Sequence, residues 1–479
     1  MRTLWLLAPS SLALSWLILT AACHRAAPSL CDDAPGDPTA GDQRNVLVIV
    51  TDDIGIDKTA AYDAHPAPPP TPTLDRLAAE GVVFRNAYAT PSCSATRASL
   101  LTGRQPSRHG VGHWIYPDTE EADLDLPEVT VPEMLEAGPY AYTSAAVGKW
   151  HLVSFLRTDP AAHPLDQGFR CHAGSLANPL DAVLPGHTPR SYRRWEKSVD
   201  GAPDWEGTYM TLDTTDEALA RLRHLPSPWF LYVAYNGAHE PYEPPPASLT
   251  TRGVDRGSTD LALYEAMVEA VDTEIGRLLD GIPDDVRRDT TVVYLSDNGT
   301  PAPATTPPWN PNRAKNTLYE GGVHIPLLIT GPLVARPGSE SDALVHVVDL
   351  FPTVAEIAGV DLATVAGADG EPVVIDGQSL VPYLADPTRP SAREVLYTEG
   401  FYPNGAVARS YHDRMVRNAD WKLMRAEAGG AVVEQLFRME PGAWDEGPDL
   451  LAAGADNPEA AEALALLRAE MARVQAVFP

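Results

Sequence analysis

Val46-Leu47-Val48-Ile49-Val50, preceded by Asn45 and running into Thr51-Asp52-Asp53, is the stretch from which the fold is read. An unbroken aliphatic run of this kind is the pattern of a strand covered on both faces, as in a parallel sheet. Open α/β sheets bind ligands beyond the carboxyl ends of such strands. Asp52 and Asp53 therefore stand where a ligand belongs. The pattern returns twice. Trp229-Phe230-Leu231-Tyr232-Val233-Ala234-Tyr235 leads into Asn236-Gly237-Ala238-His239, and Thr290-Thr291-Val292-Val293-Tyr294-Leu295 into Ser296-Asp297-Asn298-Gly299. Between them, Leu261 to Leu279 carries apolar residues at helical spacing. Strands alternating with helices predict an α/β fold with its sheet covered on both sides. The Pro-rich stretches 65–72 and 301–311 read as irregular loops, because strong elements flank both.

The chain has 479 residues, enough for one large domain and a smaller one. Its net charge is −29 and no long basic run is present, which argues against nucleic acid and against polybasic membrane binding. Met1-Arg2 and the apolar run Leu4 to Ala22 read as a signal peptide over 1–22, since Pro9, Ser10, Ser11 and Ser15 make it a poor membrane span. Thr20-Ala21-Ala22-Cys23 resembles the lipobox of bacterial lipoproteins, with Thr20 where an aliphatic residue is usual. The resemblance implies a lipid anchor at Cys23 and an exported protein of the periplasm or outer membrane. Residues 23–43 read as a flexible tether with little to bury. Cys31 lies in that tether and Cys171 in the folded part, and their spacing leaves a disulfide between them open.

The chemistry-bearing residues start with Cys93-Ser94-Ala95-Thr96-Arg97, after Thr90-Pro91-Ser92. A helix beginning there puts Cys93 and Arg97 on one face. A helix N-terminus also attracts anions through its free N–H groups and its dipole. Asp52, Asp53, Asp297 and Asn298 each end a predicted central strand. Four oxygen ligands suit a hard divalent cation, and the lack of histidine among them argues against zinc. Singly, each pair reads as a turn or a helix cap; two pairs after apolar strands read as a metal site.

These residues resemble the sulfatases of the alkaline-phosphatase superfamily. Asp52-Asp53 resembles the opening motif, and Cys93 to Arg97 with Leu101-Thr102-Gly103-Arg104 resembles the signature. Gly148-Lys149-Trp150-His151, His239 before Pro241, Ser296-Asp297-Asn298-Gly299 and Lys315 to Gly322 follow in the family's order. The resemblance covers roughly residues 44–385 and implies a catalytic domain there. That domain would be a three-layer sandwich around a large mixed, mostly parallel sheet. A C-terminal α+β subdomain with an antiparallel sheet would follow over 386–479. Strand candidates near 394–397, 421–424 and 432–437 and an amphipathic helix over 457–475 suit that subdomain. It is a candidate border of the active-site cleft through Phe401, Tyr402 or His412.

The resemblance also implies roles. Cys93 would be the precursor of formylglycine, made by a formylglycine-generating enzyme, and its hydrate would attack a small-molecule or carbohydrate sulfate ester. Arg97 would orient that hydrate. One calcium ion would be held by Asp52, Asp53, Asp297, Asn298 and the residue at Cys93. Lys149, His239 and Lys315 would bind sulfate oxygens, with His239 or Lys315 protonating the leaving oxygen and His151 assisting release of sulfate. Each role fits the chemistry of a dispersed negative charge met by cations and a histidine acid. Three departures stand out: Ala95 where proline is usual, His324 where arginine is common, and the Pro-rich 301–311 loop. Alternatives are a phosphonate monoester or phosphodiester hydrolase with the same nucleophile, and an unmodified anion-binding lipoprotein.

Overall fold

The computed structural model describes residues 31, 44–116, 122–179, 190–440, 443–452 and 457–478. The expected signal peptide, Cys23 and the tether other than Cys31 lie outside the described residues. Among the described residues, no helix is long and apolar enough to cross a membrane.

Ten strands form the main sheet: β1 (Asn45–Thr51), β2 (Gly81–Tyr88), β3 (Thr143–Gly148), β4 (Cys171–Gly174), β5 (Trp195–Val199), β6 (Ala202–Glu206), β7 (Trp229–Ala234), β8 (Thr290–Ser296), β9 (Leu327–Thr330) and β10 (Ser339–His346). Their order is β10-β2-β9-β8-β1-β7-β3-β4-β5-β6. The centre, β8-β1-β7-β3-β4, is parallel. β9 runs antiparallel to both β2 and β8, and β5 and β6 close the far edge antiparallel. The sheet is therefore mixed and mostly parallel, as expected.

β1 explains why the centre is layered. Its side chains alternate between faces, as in any strand. Val46, Val48 and Val50 enter one core with Ala98, Leu101, Phe351 and Val354 from the Cys93–Thr102 and Leu350–Ala358 helices. Leu47 and Ile49 enter the other, with Leu74 and Leu77 from the Pro72–Glu80 helix and Met267, Val271 and Leu278 from the Asp260–Asp280 helix. A continuous apolar run is what two-sided burial requires.

The second sheet is β11 (Leu396–Tyr402), β12 (Tyr411–Arg417), β13 (Trp421–Ala428) and β14 (Ala431–Arg438), antiparallel in that order. Its faces also divide. Val416, Leu423 and Leu436 pack under Ala463, Leu467 and Met471 of the Pro458–Gln475 helix. Leu396, Met415 and Phe437 meet Tyr88, Leu318 and Val323 of the main body. At that seam the ammonium of fully buried Lys422 reaches Glu320 at 2.8 Å and Glu446 at 2.5 Å.

Cys31 and Cys171 form a disulfide, which resolves the pairing that spacing left open. The partners are 140 residues apart in sequence, and Cys171 opens β4 at the edge of the parallel centre. Sequence separation carries no information about such a pair, because the sheet and not the local chain brings them together.

Candidate active site

The site is assembled at the carboxyl ends of β1, β3, β7 and β8. β1 delivers Asp52 and Asp53, and β8 delivers Asp297 and Asn298. All four are buried. β3 ends in Gly148, whose φ of +89° turns the chain into Lys149. A Cβ at Gly148 would sit 2.0 Å from the Ala234 carbonyl oxygen, so β3 and β7 meet there at backbone distance. His239 follows β7.

The helix expected from the signature spans Cys93–Thr102, with Ser92 extended at its N-cap. Every residue of that helix is buried, which is why its sequence shows no amphipathic stripe. The Cys93 thiol lies 3.7 Å from Asp52 Oδ1. One turn later Arg97 donates through Nε and Nη2 to Asp297 Oδ2 at 3.1 and 2.7 Å, and through Nη1 to the Lys149 carbonyl at 2.9 Å. Cys93 and Arg97 thus share a face and address the two acidic pairs.

Cations answer the carboxylates one for one. Lys149 Nζ bonds Asp52 Oδ2, Lys315 Nζ bonds Asp53 Oδ1 at 2.5 Å, and Arg97 holds Asp297. His239 Nε2 lies 4.0 Å from Asp53 Oδ2. Burial raises Asp53, but the Lys315 and His239 charges outweigh it and hold its carboxyl below the ordinary value. Burial and the neighbouring Asp52 raise Asp297. Burial pushes the Cys93 thiol far up, so it is no thiolate nucleophile as it stands. His151 is buried with a φ of +59°, and burial together with the Lys149 and Arg97 charges holds its ring well below the usual histidine range.

Ligand atoms of Asp52, Asp53, Cys93 and His239 all lie within 4.8 Å of one another. Asn298 Nδ2 donates to Asp53 Oδ1 at 2.7 Å, which leaves the buried Asn298 Oδ1 with no hydrogen-bond partner among the described residues. An orphaned acceptor beside three carboxylates is the donor set of a hard divalent cation. His239 comes closer to this group than the sequence reading, which placed no histidine among the ligands, had it.

All the expected site residues converge on one centre: Asp52, Asp53, Cys93, Arg97, Lys149, His239, Asp297, Asn298 and Lys315 through the bonds above, and His151 through the charges it feels. Spacing gave no sign of the supporting residues. Asn178 Nδ2 lies 3.2 Å from His239 Nε2. Tyr192 donates its hydroxyl to the carbonyls of Asn236 and His239 at 2.6 and 2.7 Å, fixing the turn that carries the histidine. Asn178 and Tyr192 follow β4 and precede β5, in a region without a motif.

A family model described as Sulfatase matches residues 44–360, and a second, described as N-sulphoglucosamine sulphohydrolase, C-terminal, matches residues 313–473. The chain is 29% identical over 438 residues to arylsulfatase J of Mus musculus, covering 86% of this chain and 70% of that protein. It is 30% identical over 383 residues to N-acetylgalactosamine-6-sulfatase of Homo sapiens, covering 74% of this chain and 68% of that protein. Among solved structures, Ps i-CgsB in complex with k-i-k-neocarrahexaose matches with a TM-score of 0.70 at 24% identity, covering 90% of this chain and 92% of that one.

Proposed function

The chain belongs to the sulfatase family and is a sulfuric ester hydrolase; from that premise we propose that it cleaves a small-molecule or carbohydrate sulfate ester through residue 93 to an alcohol or phenol and inorganic sulfate. Formylglycine made from Cys93 would supply the nucleophile as its hydrate, and one calcium ion held by Asp52, Asp53, Asp297 and Asn298 would neutralise developing negative charge. The orphaned Oδ1 of Asn298 beside the three carboxylates carries this reading.

The remaining steps belong to the protein's own side chains. Arg97, held by Asp297 and by the Lys149 carbonyl, is fixed to orient residue 93. Lys149 and Lys315 donate to sulfate oxygens, and His239 or Lys315 gives a proton to the leaving oxygen. His151, whose ring is held well below the usual histidine range by burial and by the Lys149 and Arg97 charges, would assist breakdown of the covalent sulfate. Three carboxylates against three cations leave the centre near neutrality, so a divalent ion makes it net positive within a chain of net charge −29. A sulfate ester carries one negative charge and needs such a local reversal of the global field.

Maturation would require the formylglycine-generating enzyme to accept Ala95 in the signature. Export with a lipid anchor at Cys23 belongs to the same reading, and the Cys31–Cys171 disulfide supports an oxidising compartment. The test pairs two measurements. Mass spectrometry of the tryptic peptide Asn86–Arg97 reads conversion at position 93, and ion chromatography reads sulfate released from a panel of esters. Fully converted, calcium-loaded protein that releases no sulfate from any ester refutes the proposal. Faster turnover of an aryl phosphonate than of the matching aryl sulfate assigns the chain to phosphonate or phosphodiester hydrolysis instead.

A further inference from the structure

Asp57 and Lys58 are buried shortly beyond Asp53, and the proposed chemistry uses neither. Both belong to the short 3-10 turn Ile56–Lys58. Asp57 is not among the ligand atoms that gather within 4.8 Å of one another. Its two oxygens are engaged elsewhere. Oδ1 accepts from the Thr300 hydroxyl at 2.5 Å, and Oδ2 lies 3.4 Å from Lys58 Nζ. Paired with Lys58 in this way, Asp57 adds no net charge to the centre.

Thr300, itself buried, is the other half of the contact. Its hydroxyl also accepts the Gly55 N–H at 3.2 Å, so one oxygen joins the chain after β1 to the chain after β8. Closer to the strands, the Asp297 N–H reaches the Thr51 carbonyl at 3.0 Å, and the Ile54 N–H reaches Ser296 Oγ at 3.1 Å. Asp52-Asp53 and Asp297-Asn298 are thus spanned by a backbone rung at one end and by a side-chain bridge at the other. Thr300 also places Lys315, whose N–H donates to the Thr300 carbonyl at 3.0 Å. The bridge explains Gly55. A Cβ there would sit 2.7 Å from Asp57 Oδ1 and 2.8 Å from both N and Oγ1 of Thr300. The Gly55 backbone is extended with a φ of −73°, so space and not conformation calls for glycine.

We infer that the Thr300 hydroxyl, bridging Gly55 and Asp57, is a positioning group that holds the two acidic loops in register for the proposed calcium ion and thereby sets its affinity. The inference rests on the calcium reading of the centre. Calcium affinity follows the charge of the ligands and the rigidity of the loops that present them. The bridge changes rigidity alone, because neither Thr300 nor Asp57 belongs to the donor set. Loops already ordered lose less freedom when the ion binds, so affinity rises. Threonine suits the place because its hydroxyl accepts one hydrogen bond while donating another. Valine has the same shape and can do neither.

Isothermal calorimetry with calcium chloride on chelator-stripped, full-length protein tests this, with residue 93 in the same state throughout. Thr300→Val should weaken calcium binding about 10- to 100-fold, the usual worth of a group that orients metal ligands. Gly55→Ala, which wedges the bridge apart from the other side, should weaken it too. Thr300→Ser keeps the hydroxyl and should retain most of the affinity. Melting temperatures of the calcium-free proteins read the fold by itself. A lower melting temperature with unchanged calcium affinity in Thr300→Val marks a merely structural role and overturns the inference. Equal losses of affinity in Thr300→Ser and Thr300→Val overturn it as well, since the hydroxyl would then not be what holds the loops. Should Thr300→Val fail to fold, Gly55→Ala decides by the same comparison. No calcium uptake by the unsubstituted protein refutes the calcium reading itself, and the bridge with it.

Discussion

His239 illustrates how much the position of one side chain depends on residues far from it in sequence. The turn after β7 brings it to Asp53, yet Tyr192 fixes that turn and Asn178 meets its ring. The family pattern made Asp52, Asp53, Cys93, Arg97, Lys149, His239, Asp297, Asn298 and Lys315 legible. Asp52, Asp53, His239, Asp297 and Asn298 also follow apolar strand runs and Cys93 opens a helix with Arg97 one turn on, whereas Lys149 and Lys315 rest on the motifs alone. Asn178 and Tyr192 were not legible, since contact across the sheet leaves no periodicity. Two outcomes follow at this scale. Cys93→Ala abolishes sulfate release. His239→Ala lowers kcat by about 10²- to 10⁴-fold, the usual worth of a positioned acid, in steady-state assays on the best ester found. Unchanged kcat in the histidine variant would hand the acid role to Lys315.

Elements were read best where their pattern was two-sided or strongly periodic. β1, β7 and β8 fall within a residue or two of the expected runs, and the Asp260–Asp280 and Pro458–Gln475 helices match the periodic segments. β12 carries no apolar run over its first half because Tyr411-His412-Asp413, only half-buried, is polar. β6 escaped because an exposed edge strand needs no apolar run, and β5 because its half-buried Glu196 and Val199 and its buried Lys197 and Ser198 break one. Two elements carry specific expectations. At the end of β3, Gly148→Ala places a Cβ against the Ala234 carbonyl in a left-handed conformation, so β3 must part from β7 and displace Lys149. Melting temperature and sulfate release should fall together in that variant. At the seam between the two sheets, burial raises Glu320, but Lys422, His324 and Arg417 outweigh it and hold the carboxyl well below its usual range. Lys422→Met strips Glu320 and Glu446 of their shared partner and should cost about 3–5 kcal/mol in urea unfolding. A loss under 1 kcal/mol would mean that water reaches the seam.

The whole molecule stores a pH response in buried histidines that the proposed chemistry does not use. Burial lowers His109, His172 and His346 to about 3 and His113 and His163 to about 4, all from 6.5. In the unfolded chain these rings take up protons below pH 6.5, whereas the folded protein refuses them until pH 3 to 4. Their contribution is complete above pH 6.5 and is lost as pH falls, at about 1.4 kcal/mol per pH unit for each ring. Asp213 and Asp272, raised to about 6, and Glu446, raised to about 7, act in the opposite sense, three strongly shifted carboxyls against five rings between pH 6.5 and 5. Stability should therefore decline from pH 6.5 to 5, with net proton uptake on unfolding in calorimetry across buffers of different ionisation enthalpy. Net proton release would show that the carboxyls dominate. The disulfide adds a constraint in time. Cys93 lies 62 residues from Cys31 and 78 from Cys171, nearer to each than the 140 that separate the native partners. In an unfolded, oxidising chain, shorter loops close more readily, by about 0.6 kcal/mol per halving of length. An unconverted Cys93 is thus a favoured wrong partner, and converting its thiol to an aldehyde would remove the competitor before the native pair forms. On the formylglycine proposal, that conversion would also proofread the covalent topology, and unconverted protein folded under oxidising conditions should yield Cys31–Cys93 and Cys93–Cys171 crosslinks in peptide mapping.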